Sequence, residues 1–483
     1  MPANATNGSC AQEEGPLSVL FFVHSANLGG AERCFLELLT YLRRDPGIAC
    51  TVIAPSDGPL VSALQELGAQ IIFEPALHRW AGKPNSPIGK KLVTGAHAFL
   101  RLLPTLREID PDVIYTETSV IPWGAAAAAL LDKPHMWSVT EFGELDHGLS
   151  FLGGHDAAIE QIKDGASFIL TISEAVRKTL FPDLSPDRAR TIYRHAAKPT
   201  AEAPATDFFR RPQAQHLAVF GTISEGKGQL DAVKAVLALT QRGRDVELVL
   251  AGYPGRHYVA EIEDFISQHE LVDHVRIVDF IHDPYPAMLA ADALLVCSRN
   301  EAFGRVVVDG MKLGRPVIYT ASGGIPEMMR DGVTGLSYMP GNVEELADRI
   351  EELANDPARA AQIGAAAKRH ADAMFVCNGN QILSVLRDLA CAEPGTRRVS
   401  IPKNVVTAIV QGHAQLEGEN ADAKAEIRDQ QDSLKGLRNQ LKQTSASETD
   451  LRTRLEDITT SRSYALSLGV ARIAKKLRSL FSW

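Results

Sequence analysis

A chain of 483 residues with 45% hydrophobic and 23% charged residues is long enough for two or three domains and apolar enough to bury ordinary cores. Its formal net charge of -9 argues against a nucleic-acid binder, which needs a basic excess to meet phosphates. Six cysteines, scattered without CxxC pairs or a neighbouring histidine cluster, predict reduced core thiols of a cytoplasmic protein, with Cys34 and Cys297 in apolar segments.

Residues 1–16 are polar, with Glu13 and Glu14 where a signal peptide needs an apolar stretch, and a flexible N-terminus is expected there. Over residues 17–197, short β-branched or apolar runs at 17–23, 50–54, 70–73, 113–116, 135–139, 168–172 and 190–193 alternate with helical patterns. Repeated βα units predict a parallel sheet wrapped by helices. The longest apolar run, 125–131 with its flanks, is too short for a membrane span, which takes about 20 residues. Residues 198–214 hold few large apolar side chains and read as an interdomain linker.

A second series follows over 215–375, with strands expected at 217–220, 246–251, 275–278, 293–297 and 316–319. The fold class is therefore α/β, with two Rossmann-like, doubly wound domains facing a cleft and the ligand held at the carboxyl ends of both sheets. Residues 376–398 read as a closing helix. Over 413–460, Leu416, Ile427, Leu434, Leu437, Leu441, Leu451, Leu455 and Ile458 follow alternating three and four steps, which predicts a coiled coil and a homo-oligomer. A single charged helix is the alternative, given Gly418, Gly436 and the polar seam positions. Residues 461–483 carry Arg462, Arg472, Lys475, Lys476 and Arg478 and no acidic residue, with Leu466, Val470, Ile473, Leu477 and Leu480 at helical spacing. Such a basic amphipathic tail suits an anionic membrane surface, or else docks on protein.

Four loops carry candidate chemistry. After the first strand, Ser25–Arg33 contains Gly29 and Gly30 before a helix, which lets backbone amides approach a phosphate, or simply makes a turn. Residues 220–228, Phe-Gly-Thr-Ile-Ser-Glu-Gly-Lys-Gly, place Gly221, Thr222 and Lys227 between a strand and a helix, where an ammonium can neutralise a diphosphate or be an ordinary surface lysine. Residues 301–309, Glu-Ala-Phe-Gly-Arg-Val-Val-Val-Asp, put two carboxylates eight residues apart across a glycine loop, a spacing that can hold two hydroxyls of one ligand. Residues 137–147 add Thr140, Glu141, Glu144, Asp146 and His147 in a dense polar cluster after a strand.

On these residues the chain resembles the retaining, nucleotide-sugar-dependent GT-B glycosyltransferases of glycosyltransferase family 4, the glycosyl transferases group 1 type, over roughly residues 17–389. The resemblance implies that Glu301 contacts the donor sugar and that Phe303 and Gly304 offer backbone amides to sugar and phosphate. The family's ribose-binding Glu is Asp309 here, one methylene shorter. Its Arg after the first glycine of the lysine loop is Thr222, which leaves the phosphate to Lys227 and the backbone, helped by Arg305. Its strand-end His is replaced by Thr140 and Glu141, and His147 is the substitute, although a lone loop His is more often structural. Ser173 matches a strand-end serine that shapes the cleft. The expected catalytic set is Glu301, Lys227, His147 and Glu141. Gly29, Gly30, Gly221, Thr222, Lys227, Phe303, Gly304, Arg305 and Asp309 are expected on the donor. No cofactor or metal is implied beyond the nucleotide sugar. The implied activity is hexosyl transfer to a lipid-linked or polysaccharide acceptor at the inner face of the cytoplasmic membrane. The alternatives are another GT-B enzyme, such as a nucleotide-sugar epimerase or a phosphorylase, and a catalytically weak sugar-nucleotide-binding scaffold.

Overall fold

The computed structural model describes residues 15–194, 203–375, 379–392 and 399–419. The strands of the first unit are β1 (Leu17–Phe22), β2 (Ile48–Ala54), β3 (Gln70–Phe73), β4 (Ala81–Gly82), β5 (Val113–Glu117), β6 (His135–Val139), β7 (Ser150–Phe151), β8 (Phe168–Thr171) and β9 (Ala189–Thr191). Seven of them form one parallel sheet in the order β3-β2-β1-β5-β6-β8-β9, and β4 pairs antiparallel with β7 outside it. The order reverses at β1, whose Phe21 is in register with Val52 on one side and Tyr115 on the other. A crevice opens at such a switch point beyond the strands' carboxyl ends.

The second unit repeats the plan with β10 (Gln215–Phe220), β11 (Val246–Ala251), β12 (Val275–Val278), β13 (Ala293–Val296), β14 (Val317–Thr320) and β15 (Leu336–Tyr338). Their order is β12-β11-β10-β13-β14-β15, all parallel, with the switch between β10 and β13. Helices cover both faces, so the inner strands read as nearly unbroken apolar runs. Glu247 is the exception in β11: buried, its carboxylate accepts from the Arg210 and Arg211 amides and pairs with Arg276.

Helix Trp123–Leu131 lies so close to the first sheet that a Cβ on Gly124 would sit 1.9 Å from Thr116 Oγ1. Its run of buried alanines serves the same close approach. Residues 203–214 are less featureless than their composition suggests, since Phe208 stacks on Phe220 and Phe209 on His216 at 4.1 Å.

The chain then returns to the first unit. Helix Gly379–Ala390 buries Ile382, Leu386 and Leu389 against Phe35, Leu39 and Tyr115, and Arg387 pairs with Asp45 at 2.7 Å. Helix Lys403–Glu419 buries Val405, Val406 and Ile409 in the core beneath helix Ile88–Ile109. The stretch expected to open a coiled coil at 413 thus continues a helix that starts at Lys403 on the body of the protein. The remainder of that coiled coil, the basic tail and most of the N-terminal segment lie outside the described residues. Among the described residues no helix is long and apolar enough to cross a membrane.

Candidate functional site

The loops after β10 and β13 meet at the second unit's switch point. Gly252 must stay without a side chain there, because a Cβ would lie 1.8 Å from the Gly221 carbonyl oxygen. Lys227 ends a single 3-10 turn, Glu225–Lys227, and its Nζ lies 2.6 Å from Glu301 Oε2. Ser298 Oγ donates to the same oxygen at 2.8 Å. Burial raises the Glu301 carboxyl, but the Lys227 charge and the two hydrogen bonds outweigh it and hold the group below the usual carboxylate range. The Gly324 amide donates to the Glu301 carbonyl at 2.8 Å, so the loop Ser322–Gly324 fixes Glu301 from below.

Phe303 packs its ring against Phe375 in the core, leaving only its backbone toward the cleft. Gly304, at φ +85°, takes the left-handed turn that starts helix Arg305–Leu313. Arg305 Nε reaches Asp309 Oδ1 at 2.9 Å, and its two terminal nitrogens hold both oxygens of Glu37, on helix Gly30–Leu42 of the first unit, at 2.8 Å each. Arg305 therefore serves two carboxylates rather than a phosphate in this arrangement, and joins the two units. Asp309 is 4% exposed, and burial raises its carboxyl by more than Arg305 lowers it.

On the first unit, His24 follows β1, and Gly29 and Gly30 open helix Gly30–Leu42. His24 Nε2 lies 3.3 Å from Glu32 Oε1. Burial, with help from Arg79 and His147, pushes His24 down to about 3, so its imidazole is neutral at ordinary pH and the contact is not an ion pair. Burial also raises Glu32. Glu141 Oε1 accepts from the Ser119 amide at 2.7 Å and Ser119 Oγ at 2.6 Å, and Thr140 Oγ1 donates to Oε2. These three bonds make Glu141 a brace of the loop after β5. Beside it Thr118 holds φ +74°, an uncommon conformation for threonine, with its hydroxyl buried and unpartnered.

His147 ends the short helix Glu144–His147, half exposed, with its Nε2 3.8 Å from Asp146 Oδ2. That helix closes on the lysine loop: Asn300 Nδ2 donates to the Leu145 carbonyl, and a Cβ on Gly226 would lie 2.9 Å from the Asp146 carbonyl oxygen. Asp146 caps the helix by accepting from the Phe142 and Gly143 amides. Ser173, also buried, caps helix Glu174–Leu180 through the Val176 amide.

Lys227 and Glu301 thus meet directly, and the helix that carries His147 packs on their loops, while Glu141 is buried and Arg305 with Asp309 forms a separate buried pair. Sequence reasoning passed over Glu37, Glu32, His24, Arg79 and Glu327. Glu327 accepts from the Glu174 and Ala175 amides and from Tyr193 Oη, pinning the second unit to the first. Its signal was the acidic residue closing Ser-Gly-Gly-Ile-Pro-Glu, and that of Glu32 was its place right after the glycine pair. A cation against helix amides at the rim of two facing sheets can stabilise a departing anion. Among the described residues no three His, Cys, Asp or Glu side chains are arranged to hold a metal.

Comparison with known proteins gives the same frame. The family model Glycosyltransferase Family 4 matches residues 28–195 and Glycosyl transferases group 1 matches residues 209–370, together more than half of the chain. The alpha-D-kanosaminyltransferase of Streptomyces kanamyceticus is 35% identical over 140 residues, 28% of this chain and 36% of that protein. The D-inositol 3-phosphate glycosyltransferase of Corynebacterium aurimucosum is 27% identical over 231 residues, 44% of this chain and 54% of that protein. The chain thus spans from about a third to about half the length of these curated relatives. The crystal structure of Anabaena HepE in complex with UDP-glucose superimposes with a TM-score of 0.64 at 24% identity, covering 77% of this chain and 99% of that one, which shows the shared fold.

Proposed function

We propose that this chain, which belongs to the GT-B glycosyltransferases of the glycosyl transferases group 1 and family 4 kind, transfers a hexosyl group from a nucleoside diphosphate sugar to a lipid-linked or polysaccharide acceptor with retention of configuration. The observation that carries the reading is the 2.6 Å contact of Lys227 with Glu301, set between the glycine loops at the switch point of the second sheet and facing the first. A diphosphate entering there offers Lys227 a stronger partner than one carboxylate. Lys227 then stabilises the leaving nucleotide, and Glu301, released, accepts hydrogen bonds from hydroxyls of the donor sugar. The free oxygen edge of Asp309 is the proposed ribose contact, with Arg305 holding the other edge. His147 stands on the acceptor side of Glu301, and Glu141 supports the loop beneath it.

UDP-glucose, present in the Anabaena neighbour, is the first donor to try. We assign self-association to 413–460 and a peripheral membrane contact to 461–483; the support for both is the residue pattern alone. The test is a screen of UDP-, GDP-, ADP- and dTDP-hexoses with a sugar acceptor, reading the product anomer by NMR. Retention with one donor supports the reading. Inversion, or no transfer from any donor that stabilises the protein, contradicts it.

A further inference from the structure

Helix Lys403–Glu419 lies beyond both family models, the later of which ends at residue 370, yet it is built into the first unit. Its start is fixed at three points: the Ser400 amide donates to the Asp164 carbonyl at 2.8 Å, the Asn404 amide to Gln161 Oε1 at 3.0 Å, and Asn404 Nδ2 to the Leu152 carbonyl at 2.6 Å. Val399, Val405 and Ile409 are buried behind these bonds, in the same core as Trp80 and Phe151.

Leu152 closes the segment that carries helix Glu144–His147. That segment turns through glycines in the left-handed region near both ends, Gly143 at φ +83° and Gly153 at φ +85°, and such backbone keeps little shape of its own. One side of it rests on a firm rail. Trp80 is fully buried, its amide donates to the Val120 carbonyl at 3.0 Å and its Nε1 to the Ser119 carbonyl at 2.7 Å, while Trp123 Nε1 donates to the His78 carbonyl at 2.8 Å. These two tryptophans fix the backbone on either side of the exposed Arg79, and β4 leaves from that mount to pair with β7 through Ala81 and Phe151. The Leu152 amide donates to the Trp80 carbonyl at 3.0 Å, so Leu152 is gripped through its amide by the body of the unit and through its carbonyl by Asn404 of the appended helix.

The grip is passed on toward the cleft. A Cβ on Gly143 would lie 2.9 Å from Phe151 Cε2, and His155 Nε2 donates to the Phe142 carbonyl at 3.0 Å, so both ends of the turn before helix Glu144–His147 are set by residues beside Leu152. From that helix the Leu145 carbonyl accepts from Asn300 Nδ2 of the second unit, next to Glu301 in the chain, at 3.3 Å.

We propose that Asn404 is a positioning residue of the cleft: it holds the Leu152 carbonyl so that helix Glu144–His147 keeps its seat on the loops of Lys227 and Glu301. Nucleotide binding on the second unit then depends on an appended helix that touches no substrate. The inference rests on the donor reading for this consequence and not for its geometry.

The test compares the full-length wild type with Asn404→Ala, with the isosteric Asn404→Asp, which sets a carboxylate against the Leu152 carbonyl, and with Thr407→Ala on the exposed face of the same helix. Hydrogen exchange without ligand should be about tenfold faster over residues 143–154 in both Asn404 variants and unchanged in Thr407→Ala. UDP affinity, read by calorimetry, should fall about threefold or more in the same two variants. Asn404→Ala alone carries the comparison if the carboxylate prevents folding. Unchanged exchange over 143–154 overturns the proposal, and so does faster exchange with unchanged UDP affinity, which makes Asn404 a structural bond and no more. A wild type that ignores UDP removes the donor reading instead, and exchange over residues 225–228 then decides: faster in the Asn404 variants keeps the positioning role, and unchanged ends it.

Discussion

The two walls of the cleft handle charge in opposite ways. On the second unit, the charged groups nearest the proposed nucleotide path already face each other: Lys227 with Glu301 at 2.6 Å, and Arg305 with Asp309 at 2.9 Å and with Glu37 across the cleft at 2.8 Å. On the first unit, Glu141 is held by Ser119 and Thr140, while Arg79 makes a single hydrogen bond to the His24 carbonyl. A ligand on the second unit must exchange partners, and the cost of parting an ion pair is offset only by a stronger anion, which makes that wall selective for a diphosphate. A ligand on the first unit meets a guanidinium with one hydrogen bond and parts no ion pair.

The sharpest way to break the comparison is to remove one charge from each wall. Glu301→Gln leaves Lys227 without its carboxylate and the donor sugar without its acceptor of hydrogen bonds, and steady-state turnover should fall on the order of 100-fold with the melting temperature little changed. Arg305→Met leaves Glu37 and Asp309 buried without a counter-charge, which should destabilise the chain by about 3 kcal/mol in denaturant titration. A loss below about 1 kcal/mol would mean the guanidinium is not joining the units. Arg79→Met, by contrast, removes a group with one weak hydrogen bond and should leave the denaturation midpoint nearly where it was.

Acid pH sharpens the same contrast. The Glu301 carboxyl is held below its ordinary value of 4.5, so the stability it contributes is fully present above that pH and is lost as the pH falls through the lower folded value. Glu301→Gln should therefore flatten the acid limb of the stability curve below about 4.5, measured by thermal melts from pH 6 to pH 3. An unchanged limb would show that Lys227 does not lower Glu301. The smallest effect belongs to Ser173→Ala, which removes a helix cap and should cost about 1 kcal/mol without altering donor affinity.

Much of this was legible in the sequence. Parallel strands buried on both faces announce themselves as apolar runs, and the glycine loops between strand and helix mark where ligand groups gather, so the two α/β units and the neighbourhood of Lys227 and Glu301 could be read directly. The three-residue β15 and the two-residue β4 and β7 are too short for a period to show. A closing helix was expected over 376–398, but a helical pattern cannot say which unit it covers, and helix Gly379–Ala390 covers the first. The partners of Arg305 and Asp309 depend on Glu37, more than 260 positions away in the chain, which no local motif records. Arg79 lies outside every motif; its exposure follows from the tryptophans on either side, and their burial is a property of the folded sheet.

The most direct test of the central claim is the rate of nucleotide release from whichever donor stabilises the wild-type protein, measured side by side for wild type, Glu301→Gln and Lys227→Ala. Release by the wild type, lost in both variants while each still melts cooperatively and Glu301→Gln still binds the nucleotide, is the predicted result. Comparable release from all three proteins would contradict the assignment of the Lys227–Glu301 pair to the chemistry.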